Sequence, residues 1–97
     1  MTTLLIRTKD NLNTLRAQSY SGNWILTDEK IINALIRNGR IQIHPICKGA
    51  YMNVLDAEIT NITNCATDPR RKVIHFKNAN IIAAPVQYKT PWCVKIS

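Results

Sequence analysis

Arg70-Arg71-Lys72 is the densest run of chemistry-bearing side chains in this sequence. Adjacent guanidinium groups in a loop can grip phosphate oxygens bidentately, and an ammonium beside them adds a point charge. Asp68 is the last acidic residue, and Lys77, Lys89 and Lys95 follow with no acid among them. Upstream, Arg37 and Arg40 flank the Asn38-Gly39 pair. Tyr20 and Trp24 bracket Ser21-Gly22-Asn23, so two aromatic rings sit among small polar groups. Rings and amides of this kind stack on unpaired bases and hydrogen-bond their edges. Tyr88 is a third ring that could do so. Trp24 also reads as a core anchor. The candidate nucleic-acid set is Tyr20, Trp24, Arg37, Arg40, Arg70, Arg71, Lys72 and Lys77.

Other reactive groups are sparse. His44 and His75 are the only histidines, each inside an expected strand, and no acid is spaced to pair with either as a matter of course. Cys65 lies in the loop before Arg70, where positive charge would lower a thiol pKa. Cys47, Cys65 and Cys93 are odd in number and far apart, which fits reduced thiols better than a disulfide framework or a zinc site. No phosphate-binding glycine loop and no zinc-hydrolase motif is present. The expectation is a non-catalytic domain with no cofactor and no metal.

The whole chain supports a binding role. Ninety-seven residues make one domain, 1–97. A hydrophobic share of 45% is enough for one core. The longest early apolar run, Leu4 to Ile6, is too short for a membrane span or a secretory leader, so a cytosolic protein is expected. Formal net charge is +7, which attracts phosphate polymers and acidic protein surfaces through forces that salt weakens. A solvated basic face that merely aids solubility is the plain alternative.

These groups need elements to position them. Residues 2–8 are β-branched and aliphatic and read as a strand. A short helix is expected over 10–18, with Leu12 and Leu15 facing the core. Residues 19–23 read as a loop. Thr27 is a good N-cap, Asp28 and Glu29 suit the positive end of a helix dipole, and Ile31, Ala34 and Leu35 form a stripe widened by Ile32 and Ile36. Gly39 suits a left-handed stop. Short strands follow. In 40–46, Ile41 and Ile43 alternate with Gln42 and His44. A turn at Lys48-Gly49 precedes a long strand over 51–62, with a bulge near Val54 and Leu55. A loop over 64–71 leads to strands at 72–76 and 81–84 around a turn at 77–80. A partial strand is expected at 86–88 and a last one at 92–96. Two helices near the N-terminus and about five short strands predict an α+β fold, with a small, strongly curled, antiparallel-rich sheet or partly open barrel.

Asn23-Trp24, Gly39-Arg40, Glu58-Ile59 and the strand 71–76 resemble small PUA-like barrels of the EVE and ASCH kind over about 19–76. That resemblance implies a curled barrel. In several branches it also implies a pocket for a nucleotide or modified base, with Trp24 near its mouth. Two functions are therefore expected to compete. One is recognition of single-stranded or flipped nucleotides, DNA or RNA. The other is a small inhibitor or interaction protein, of a phage or mobile-element type, that docks on a partner. A homodimer through an edge strand fits either.

Overall fold

A computed structural model describes residues 2–45 and 53–83, with the backbone of 94–96. The expected turn at Lys48-Gly49, the start of the 51–62 strand, the 86–88 strand and the Trp92 end of the last strand lie outside the described residues. So do Cys47, Cys93, Tyr88 and Lys89, and the side chain of Lys95.

The element order is β1 (Thr2–Thr8), α1 (Leu12–Gln18), β2 (Tyr20–Ile25), α2 (Glu29–Asn38), β3 (Gly39–Pro45), β4 (Asn53–Asn64), β5 (Arg71–Ala83) and β6 (Val94–Ile96). The strands form one strongly curled sheet in the order β2-β5-β4-β3-β1-β6. All neighbours are antiparallel except β1 and β3, which run parallel with Leu4 opposite Ile41 and Ile6 opposite Ile43. This is the expected α+β architecture with both helices in the first half.

Strand alternation decides which side chains meet. Leu4 and Ile6, Ile41 and Ile43, Leu55, Ala57 and Ile59, and Ile74 and Phe76 join one core cluster. Leu15 of α1 and Leu35 of α2 close it from the helical side. The opposite parity is not all solvent-facing, since Leu5, His44 and Val54 are buried as well. The sheet curls through irregular pairing. Register shifts occur between Ser21 and Trp24 in β2, and at Asp56/Glu58 and Ile59/Asn61 in β4. A bulge adds local twist and bends its strand.

Several local expectations change. The segment 19–23 is not a loop: β2 begins at Tyr20, because pairing with β5 supplies its backbone bonds. Asp28, not Thr27, caps α2, its carboxylate accepting from the Lys30 and Ile31 backbone N–H groups at 3.0 and 3.4 Å. Gly39 is extended (φ −120°, ψ 154°), not left-handed. Its need is space: a Cβ there would lie 2.4 Å from the Leu35 carbonyl oxygen. The expected turn at 77–80 is absent: β5 runs on through it beside β4, the register shifting between the Asp56–Asn80 and Glu58–Lys77 pairs, where Asn78 has φ 53°. The β4 irregularities fall after Val54 and Leu55, at Asp56 and beyond.

Candidate nucleic-acid interface

Helix α2 is the ruler for the candidate site. Its flank carries Glu29, Asn33 and Arg37 at four-residue spacing, so the three stack along one face. Glu29 and Asn33 line a cleft of about 600 Å³ at the helix start, and Arg37 lines one of about 300 Å³ at its end. The stripe spans about 12 Å at 1.5 Å per residue, so both clefts belong to one seam beside the helix. Ile62 of β4 lies on the first cleft and Ile59 on the second.

Five of the eight sequence candidates meet along this seam. Arg70 and Lys72 line the first cleft with Pro69. Arg37, Arg40 and Lys77 line the second with Glu58. The turn before β5 sets the first pair. Asp68 Oδ1 accepts from the Arg70 backbone N–H at 3.0 Å, and the Arg71 N–H donates to the Asp68 carbonyl at 3.0 Å. The Arg70 guanidinium then folds onto the same carboxylate, donating from Nε at 3.2 Å and Nη2 at 3.1 Å. Those bonds hold the Asp68 carboxyl below the ordinary carboxylate range and raise Arg70. Lys72 Nζ donates to the Pro69 carbonyl.

Arg40 is tied down at the second cleft. Its Nη2 lies 2.5 Å from Asp56 Oδ2 and its Nη1 lies 3.9 Å from Glu58. The Asp56 hydrogen bond raises the Arg40 pKa despite partial burial. Lys77 Nζ is 4.0 Å from Glu58. Among the described residues, Arg37 and Lys72 have no ion pair.

The other three candidates lie elsewhere. Arg71 bonds the Asn23 carbonyl at 3.2 Å and is 3.8 Å from Asp68. Trp24 packs against the core, and its indole N–H donates to the fully buried Ser21 hydroxyl at 3.0 Å, so it lines neither cleft. Tyr20 is 44% exposed, with its ring 6.3 Å from that of His75. His75 Nε2 is in turn 2.9 Å from the Thr63 hydroxyl.

No family model, curated protein or solved structure matches this chain. The site therefore rests on its own geometry. Sequence reasoning missed Asn33 and Asn64, which line the first cleft. An exposed amide four residues from Glu29 on α2 was the only available signal for Asn33. Cys65 has a lowered pKa, but the main cause is its hydrogen bond with Thr67, not the arginines. Among the described residues, no three His, Cys, Asp or Glu side chains gather to hold a metal, and no helix is long and apolar enough to cross a membrane.

Proposed function

We propose that this domain binds single-stranded nucleic acid along the α2 seam, without catalysis. The observation that carries the reading is the seam itself: Arg70 and Lys72 on one cleft, Arg37, Arg40 and Lys77 on the other, with apolar and amide side chains and the acids Glu29 and Glu58 among them. Phosphates would meet Lys72 and Arg70 at one end and Arg37 at the other. The first cleft, walled by Ile32, Ile62 and Pro69, would seat an unpaired nucleotide. The likeness to PUA-like barrels belongs to the same proposal. Trp24 is not needed for it, because the core holds that ring.

The test is fluorescence anisotropy of a labelled 12-mer at several salt concentrations. Each phosphate contact contributes about −0.7 to the log–log salt slope for single strands. The Lys72→Ala, Arg37→Ala double variant should flatten the slope by about 1.4. An unchanged slope, or no binding by the wild type at low salt, overturns the proposal.

One observation favours a second reading, docking on a partner protein. Among the described residues strand β2 ends the sheet, and Ile25 on it is 56% exposed. An exposed edge strand is a template for pairing with another chain. A stoichiometric partner that survives nuclease treatment of a lysate, and is lost on Ile25→Lys, would support it.

A further inference from the structure

We infer that the seam selects among bases, and that the Asn33 and Asn64 side-chain amides make the selection. This rests on the nucleic-acid reading above and goes beyond it, since cations alone bind without regard to sequence.

The first cleft holds several kinds of group, and Thr27 and Glu29 at the start of α2 add a hydroxyl and a carboxylate to it. Arg70 and Lys72 supply charge, Ile32, Ile62 and Pro69 supply apolar surface, and Asn33 and Asn64 supply amides. Phosphates take the first kind and base faces the second. Of the polar groups that remain, the Glu29 carboxylate can only accept, whereas each amide offers one carbonyl and one NH₂ group that can pair with a donor and an acceptor on a base edge together. Two different elements deliver them: Asn33 from the middle of α2, and Asn64 from the end of β4 opposite Lys72. Neither amide makes a hydrogen bond with any described residue. The second cleft differs. Its Glu58 takes Arg40, Lys77 and the Asn78 amide, and a single amide, Asn38, lies on its lining beside Arg37. Base reading is therefore assigned to the first cleft, where two amides converge from different elements.

The experiment measures affinity for fluorescein-labelled 8-mers of dA, dC and dT at one salt concentration. The wild type should show a spread of at least about five-fold, the lower end of what one bidentate amide contact supplies. Self-stacking of the dA strand affects every variant equally, so the comparison between variants isolates the protein's share. The Asn33→Ala, Asn64→Thr double variant should reduce the spread to under about two-fold and leave the salt slope unchanged. Both positions are exposed, and each replacement suits its helix or strand, so melting curves should match the wild type. A uniform wild-type affinity, or a spread that survives in the double variant, overturns the inference while nucleic-acid binding stands. Failure of the wild type to bind any of the three strands overturns both.

Discussion

His44 shows how one buried side chain ties this fold to pH. It is 5% exposed in β3, and burial first and the Arg7 charge second hold its imidazole below the ordinary histidine range. In the unfolded chain histidine titrates near about pH 6.5. Below that value the unfolded state takes up a proton that folded His44 resists. Its contribution is therefore complete above about pH 6.5 and is lost as the pH falls through the folded value. Asp68 has the same sign in a lower window, because its folded pKa is depressed by Arg70 below an unfolded value of about 3.9. Urea midpoints should hold steady from pH 8 to 7, then fall between pH 6.5 and 5. His44→Phe should flatten that descent and leave the acid loss near pH 4 in place. A descent of equal steepness in His44→Phe would assign it to another group.

At the scale of elements, the two ends of α2 separate capping from close packing. Asp28→Ala removes the side-chain acceptor of two backbone N–H groups and should cost about 1 kcal/mol, while Thr27→Ala should change little. Gly39→Ala should cost more, about 2–3 kcal/mol, because its Cβ would meet backbone atoms of Leu35 that cannot rotate away. Gly39→Asn distinguishes the causes. Asn tolerates left-handed backbone, so it would be mild if conformation were the requirement, and should be as harmful as Ala in this extended, crowded joint. Equilibrium urea unfolding reads all four. This helix and the alternation of Ile41, Ile43, Ile74 and Phe76 were legible because helix and strand periods are local properties. Strand β2 was not, since Ser21, Gly22 and Asn23 carry turn chemistry and become a strand only by pairing with β5. The stretch 77–80 misled for the same reason, with β4 overriding an Asn-rich turn signal. The site was half legible. Sequence names the cations, but strand register decides that Lys72 joins Arg70 at one cleft while Arg71, one residue away, bonds Asn23 instead.

For the whole molecule, the placement of the few acids matters more than the net charge of +7. Asp56, Glu58 and Asp68 pair with Arg40, Lys77, Arg70 and Arg71, while Arg37 and Lys72 have no acid among the described residues. A nucleic-acid phosphate reaching Arg70 must displace a carboxylate already bound in the two-bond geometry that it would itself adopt. Under the proposed function, Asp68 would compete with the strand inside the free protein. Asp68→Asn keeps an oxygen for the Arg70 backbone N–H and removes the charge that occupies the guanidinium. The expected result is an affinity gain of about two- to five-fold for a single strand, the modest size suited to an exposed ion pair. The salt slope should steepen by about 0.7, one further phosphate contact. Asp10→Asn raises net charge equally from a residue that lines neither cleft, so it should leave the slope alone. Equal effects from the two variants would reduce the interface to bulk attraction. A steeper slope in Asp68→Asn alone would mean that the free protein holds Arg70 in reserve, and that binding begins at Lys72 and Arg37.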